Sequence, residues 1–153
     1  MANTYSQIYI HIVFAVQNRK ALIQPPWEAE LFKYITGIVK NKNQKLLSIN
    51  GVPDHIHILI GMKPDCCLSD LVREIKKASN AYINENKFTL VSFRWQEGFG
   101  SFSYSYSQIS TIIRYIENQK AHHKKSKFKE EYLALLKSYE IEFKNEYLFN
   151  WIE

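Results

Sequence analysis

The stretch Asn50-Gly51-Val52-Pro53-Asp54-His55-Ile56-His57-Ile58-Leu59-Ile60 governs the reading of the fold. Its first half, Asn50 to Asp54, is rich in turn residues and reverses the chain. Its second half, His55 to Ile60, is a strongly apolar strand. Side chains alternate across a strand, so Ile56, Ile58 and Ile60 share one face and His55 and His57 the other. The isoleucines suit a face covered by helices. The two imidazoles then stand side by side on the open face, where both could reach one divalent metal.

Upstream of the turn, Lys45 to Ile49 reads as a short strand. Before it, Pro25 and Pro26 open a helix with Trp27, Leu31, Tyr34, Ile35, Ile38 and Val39 at helical spacing. Residues Tyr5 to Val16 read as the first strand, with Ile8, Ile10, Ile12 and Phe14 on one face and Tyr9, His11 and Val13 on the other. His11 therefore shares the face parity of the histidine pair. Downstream, a loop around Pro64 and Asp65 leads into a helix from Leu68 to Glu85, with Leu68, Leu71, Val72, Ile75, Ser79 and Tyr82 as its buried stripe. Thr89 to Gln96 reads as the fourth strand and Gly98-Phe99-Gly100 as a loop. Ser107 is placed to cap a helix running to about His123, and Lys127 to Tyr139 reads as a last helix. A tail with Tyr147, Phe149 and Trp151 follows.

The resulting order, β-α-β-β-α-β and then two helices, is the split βαβ or ferredoxin-like arrangement. It is an α+β fold with four antiparallel strands in one sheet and both crossover helices on one face. Such a fold hosts binders and enzymes alike, so function has to come from the site.

Bulk composition narrows the classes. The chain has 153 residues, the usual size of one domain, and is 46% hydrophobic and 14% aromatic, which is enough for a core and excludes a disordered chain. The net charge of +5 permits a polyanionic partner without requiring one. Cys66 and Cys67 are adjacent and are the only cysteines, which suits two thiols in a reducing compartment better than a disulfide or a zinc site. No apolar run approaches membrane-spanning length, and the expectation is a cytoplasmic protein without membrane contact.

A second constellation lies at Tyr115-Ile116-Glu117-Asn118-Gln119. Ile109, Ile112, Ile113 and Ile116 make the packing stripe of this helix, and Tyr115 and Gln119, four residues apart, stack beside it. Gln108, Thr111 and His122 continue that polar row. Laid on the open face of the sheet, the helix would aim Tyr115 and Gln119 at the histidines. The Gln119 carbonyl oxygen is an acceptable third metal ligand, and the Tyr115 phenol can attack a phosphate whose charge a metal offsets. Taken singly, each feature has a plainer reading: two surface histidines on a strand, and a tyrosine packing at a core edge.

Taken together, Tyr9-Ile10-His11-Ile12-Val13-Phe14, Asp54 to Ile60, Phe93-Arg94-Trp95-Gln96-Glu97-Gly98-Phe99-Gly100 and Tyr115 to His123 resemble, in order, the single-tyrosine HUH transposases of the IS200-like insertion-sequence group. The resemblance runs from Tyr5 to about Phe149. It implies a ferredoxin-like catalytic domain working as a homodimer. His55, His57 and Gln119 would be ligands for Mg²⁺ or Mn²⁺, and Tyr115 the nucleophile. In this family the tyrosine joins the 5′ side of the cut and leaves a free 3′ hydroxyl, and the substrates are single-stranded element ends carrying hairpins. In related dimers one subunit's histidines can combine with the other's tyrosine helix. Many members have lysine where this chain has Gln17, a position to which no chemical role attaches here.

Basic residues suggest a DNA-binding surface. His122, His123, Lys124, Lys125, Lys127 and Lys129 follow the tyrosine helix directly, and Arg73, Lys76 and Lys77 crowd the second crossover helix. Tyr104 and Tyr106 could stack on unpaired bases or close the core edge. Three rivals stay open: a non-catalytic or domesticated hairpin-binding relative, a ferredoxin-like RNA binder, and a phosphodiesterase with two histidine motifs. The last would need a second H-x-H pair, and the RNA binder would place aromatics where strand three has histidines.

Overall fold

The structure, a computed structural model, describes residues 4–122 and 127–138, with His122 described by its backbone alone. The elements run β1 (Tyr9–Ala15), α1 (Pro25–Asn41), β2 (Lys45–Val52), β3 (His55–Gly61), α2 (Leu68–Glu85), β4 (Gly100–Tyr104), α3 (Ile109–Glu117), α4 (Gln119–His122) and α5 (Phe128–Ser138), with short 3₁₀ turns at Gln17–Arg19 and Tyr106–Gln108. The four strands form one antiparallel sheet in the order β2-β3-β1-β4. This is the expected ferredoxin-like sheet, with the histidine strand at its centre.

Alternation divides the sheet into two chemically different faces. Ile12, Phe14, Ile56, Ile58 and Ile60 pack under Leu31, Ile35 and Val39 of α1 and Leu71, Val72 and Ile75 of α2, all buried. The other face collects Val13, Ala15 and Phe102 beneath Phe128, Tyr132 and Leu136 of α5. His11, His55 and His57 belong to this second face, and each is fully buried. A helix from the last quarter of the chain thus closes over the histidines.

The fourth strand is not where alternation placed it. Thr89 to Gln96 forms no strand apart from a single bridge between Val16 and Trp95, and β4 is Gly100–Tyr104, expected as loop. The alternating burial of Phe93 and Trp95 is real, but it comes from side chains dropping into the helix-side core, and Leu90 is fully exposed. The Gly-Ser-Phe-Ser-Tyr segment pairs because Phe102 lies opposite His11 on β1 and buries against the second face. Gly98, with φ of 87°, makes the turn ahead of it.

Smaller differences follow from local chemistry. β2 extends to Val52, leaving a two-residue turn at Pro53 and Asp54. On α2 it is Ile83, not Tyr82, that is buried; Tyr82 stacks on Tyr34 at 4.0 Å. The tyrosine helix is entered through Ser105, whose N–H donates to the Gln108 side chain at 3.0 Å, rather than capped by Ser107. It also breaks at Asn118 into α3 and α4. The tail residues Tyr147, Phe149 and Trp151 lie outside the described residues. No helix among the described residues is long and apolar enough to cross a membrane.

Candidate active site

Both histidine rings of β3 are oriented by partners behind them. His55 Nδ1 lies 2.7 Å from Asp54 Oδ1, and Asp54 Oδ2 accepts from Arg19 at 3.4 Å. A carboxylate offers only acceptors, so the His55 ring proton sits on Nδ1 and Nε2 turns inward. His57 Nδ1 lies 2.8 Å from Nε2 of His11, with the rings stacked at 5.0 Å. When His57 donates this bond, its Nε2 lone pair turns inward as well. Burial, and then the neighbouring His57, holds His11 well below the usual imidazole range despite the opposing charge of Glu131. His11 is thus held neutral, and a neutral imidazole with its proton on Nδ1 can accept the His57 bond at Nε2.

The four-residue spacing on the tyrosine helix delivers Tyr115 and Gln119 to these rings. The Tyr115 ring stands edge-on to His57 at 5.7 Å and to His11 at 6.2 Å, and Gln119 is fully buried. Gln108 instead turns back to Ser105, and Thr111 is exposed, so neither of these extends the polar row to the site.

Glu131 on α5 completes the cluster, and the sequence reading did not single it out. Its Oε1 lies 3.2 Å from His57 Nε2 and 3.4 Å from His55 Nε2. Its Oε2 accepts from Gln119 Nε2 at 3.1 Å and from the Tyr115 phenol. The signal was there in outline: an acid between Phe128 and Tyr132 lies on the apolar stripe of α5, where an unpartnered charge would be costly.

The donor set fits a divalent cation. The ligand atoms of His55, His57 and Glu131 lie within 4.8 Å of one another. Gln119 Oε1 is buried without a hydrogen-bond partner among the described residues, while its Nε2 faces Glu131, so turning the amide over would bring the oxygen to the cluster. Two imidazoles, an amide oxygen and a carboxylate form a set that borderline and hard ions accept. Burial alone would lower the His55 pKa, but hydrogen bonds and charge from Asp54 and Glu131 outweigh it and raise the net value. A cation at this site therefore competes with a proton. Burial, followed by the Glu131 charge, raises the Tyr115 phenol far above the usual tyrosine range, so phenolate is strongly disfavoured without added positive charge.

Known proteins share both pattern and fold. Residues 4–119 match the family described as "Transposase IS200 like". The chain belongs to the IS200-like transposase family. Among solved structures, a protein from Deinococcus radiodurans R1 assigned as a transposase is 20% identical with a TM-score of 0.62, covering 78% of this chain and 95% of its own. A REP-associated tyrosine transposase bound to a REP hairpin is 17% identical with a TM-score of 0.61, covering 80% of this chain and 73% of its own. No curated protein matches the sequence. The family match takes in His55, His57, Tyr115 and Gln119 but ends before α5. In this chain, Glu131 thus enters the cluster from outside the matched segment.

The described members of the expected basic surface lie on two sides of the sheet. Arg73 and Lys77 are exposed on α2, across the sheet from the histidines. Lys76 is half-buried there, donating to the carbonyls of Gln96 at 2.8 Å and Gly98 at 2.6 Å. Lys127 is exposed just ahead of α5, on the site's side. His123, Lys124 and Lys125, and the side chain of His122, lie outside the described residues. Tyr104 ends β4 with its hydroxyl 3.5 Å from His11 Nδ1, and Tyr106 is 70% exposed.

Proposed function

We propose that this transposase cleaves and rejoins single-stranded DNA at element ends carrying hairpins, through a 5′-phosphotyrosine on Tyr115. One observation carries the reading: the Tyr115 phenol and the Gln119 amide meet the inward Nε2 atoms of His55 and His57 around a single carboxylate. A ligand set and a nucleophile drawn from three separate elements need no such convergence for stability alone.

His55, His57 and Gln119 would hold a divalent ion, Mg²⁺ or Mn²⁺, with Glu131 as a further oxygen donor. Bound there, such an ion would supply positive charge to the scissile phosphate and to the attacking oxygen. The protein's own groups do the rest. Asp54 and His11 fix the ring orientations, and α5 keeps bulk water from the phenol. In the forward step the Tyr115 oxygen bonds to phosphorus, the bond to the 3′ oxygen breaks, and that oxygen takes a proton from solvent to leave as a hydroxyl. Glu131, already accepting the phenolic hydrogen bond, is in place to receive its proton. Attack by a 3′ hydroxyl on the phosphotyrosine reverses these changes and rejoins DNA without an external energy source.

Hairpin recognition is supported by the REP hairpin in the structure of the similar tyrosine transposase. Arg73, Lys77, Lys127 and the basic run from His122 to Lys125 are the proposed phosphate contacts, with Lys76 as a member of the α2 cluster. The homodimer rests on the family resemblance and is checked by sedimentation. The decisive experiment incubates the protein with single-stranded DNA from the flanks of its coding region and Mn²⁺, and looks for a covalent adduct. Tyr115→Phe should abolish the adduct while hairpin binding persists. Hairpin binding with no adduct from the wild type would favour the non-catalytic alternative.

A further inference from the structure

His57, His11 and Tyr104 stand on three adjacent strands, β3, β1 and β4, and form a diagonal row across the second face of the sheet. His11 lies opposite Leu59 on β3 and Phe102 on β4, so His57 and Tyr104 are each two residues from its direct partner. Diagonal neighbours on one face are within reach of long side chains. His57 Nδ1 is 2.8 Å from His11 Nε2, and His11 Nδ1 is 3.5 Å from the Tyr104 hydroxyl. Both rings are fully buried, and Tyr104 is half-buried at the sheet edge. The sheet alone builds this row, whatever helix lies over it.

Every facing atom in the row can either donate or accept. A neutral imidazole carries one proton on either nitrogen, and a hydroxyl gives one hydrogen bond and takes others. Two arrangements therefore satisfy the row, and the group facing His57 Nε2 decides between them. Glu131 Oε1, 3.2 Å from that nitrogen, is a carboxylate oxygen and only accepts. Facing it, His57 keeps its proton on Nε2 and accepts at Nδ1 from His11 Nε2–H. His11 in turn accepts at Nδ1 from the Tyr104 hydroxyl.

A cation at His57 Nε2 needs the lone pair there instead. The His57 proton then sits on Nδ1 and is donated to His11 Nε2. The His11 proton sits on Nδ1, and the Tyr104 oxygen accepts it. Every bond in the row has turned round, yet each ring still carries one proton and the phenol keeps its own. Exchange with solvent is all the change requires.

We infer that Tyr104 is a positioning residue for the metal centre: acting through His11, it lets His57 present either an N–H or a lone pair at Nε2 without stranding a buried donor. The inference rests on His57 being a metal ligand, as in the reading above. Tyr104 does not touch the ion or the reacting atoms. Phenylalanine at this position can neither give nor take a hydrogen bond. The arrangement that serves the ion then loses the acceptor for His11 Nδ1–H, and buried donors are left unmet more rarely than acceptors.

The test labels the histidine nitrogens and follows the ring tautomers by NMR, first without added ion and then with saturating Mg²⁺, which is diamagnetic. Expected are protons on Nε2 of both His11 and His57 without the ion, and on Nδ1 of both with it. His11 keeping one tautomer under both conditions, while the His57 signals respond to Mg²⁺, overturns the inference and leaves the ligand assignment standing. No response at His55 or His57, with no heat of Mn²⁺ binding, removes the ligand assignment and the inference with it.

A second measurement isolates Tyr104. Tyr104→Phe should weaken Mn²⁺ binding about tenfold by calorimetry, the lower end of what outer partners of metal ligands contribute, with circular dichroism unchanged. In this variant the Mg²⁺-induced change at His11 should be lost or reduced, which a merely structural role would not produce. Wild-type affinity together with a wild-type tautomer change would remove Tyr104 from the role.

Discussion

His57 and Glu131 lie 74 positions apart, yet Nε2 of one and Oε1 of the other are 3.2 Å apart in a buried site. A carboxylate at that depth requires compensation, which in the metal-free protein comes from the Tyr115 and Gln119 donors and the neighbouring His55. A divalent cation held by His55 and His57 would supply that compensation directly, with Glu131 as an oxygen donor. Glu131→Gln should therefore weaken Mn²⁺ binding at least about tenfold, since even outer-shell partners of metal ligands are worth 10- to 100-fold. Titration calorimetry on the purified protein checks this, and unchanged affinity would exclude the carboxylate from the ligand set.

Asp54 acts one step further out. Its Oδ1 fixes the His55 tautomer, and Asp54→Asn can present an N–H toward Nδ1 in its place, favouring the ring with its proton on the inward nitrogen. Mn²⁺ affinity should fall by about 10- to 100-fold while the fold, followed by circular dichroism, is retained.

Two glycines give opposite expectations for stability. A Cβ on Gly51 would sit 2.5 Å from the His55 carbonyl oxygen and 3.0 Å from Ile56 Cα, both backbone atoms of the histidine strand. Gly51→Ala should cost about 1–3 kcal/mol, as overpacking does, and should also weaken Mn²⁺ binding because the strand itself must shift. Gly37, inside α1, has open space where a methyl group would stand, with nothing within 4 Å. Gly37→Ala should stabilise by about 0.5–1 kcal/mol through helix propensity. Urea unfolding of the two variants beside the wild type reads both signs.

What was legible in the sequence was local. Alternation in Ile56-His57-Ile58 sorts the two faces of β3 without any knowledge of the neighbours, and the four-residue step from Tyr115 to Gln119 survives the break at Asn118. Pairing partners were not legible. Gly100-Ser101-Phe102-Ser103-Tyr104 has the composition of a loop and becomes a strand because β1 offers it an edge, whereas Phe93 and Trp95 alternate in burial without a ladder. Glu131 reaches the site only through the docking of α5, and no spacing rule connects it to positions 55 and 57. Asn50 was read as part of a turn, but it belongs to β2, and its bonds to α3 depend on a tertiary contact.

The last prediction concerns pH and a site away from the histidines. Lys76 is half-buried on α2, its Nζ 5.2 Å from the centre of the Phe14 ring. Burial lowers its pKa from 10.5 to about 8, with the Glu97 charge working in the opposite direction. Between pH 8 and 10.5 the unfolded chain keeps a proton that the folded chain has released, so stability rises with pH through this window. Below pH 8 the ammonium is charged in both states, and the folded protein carries the full desolvation cost. Lys76→Met abolishes this contribution and leaves every other titration in place. Relative to that variant, the wild type should gain about 1–2 kcal/mol of unfolding free energy between about pH 7.5 and 10, a figure reduced for solvent screening and for the carbonyls of Gln96 and Gly98 that favour the ammonium. Urea melts at intervals of about half a pH unit resolve such a change. Parallel profiles for the two proteins would mean that the carbonyls and the Phe14 ring hold the ammonium as well as water does.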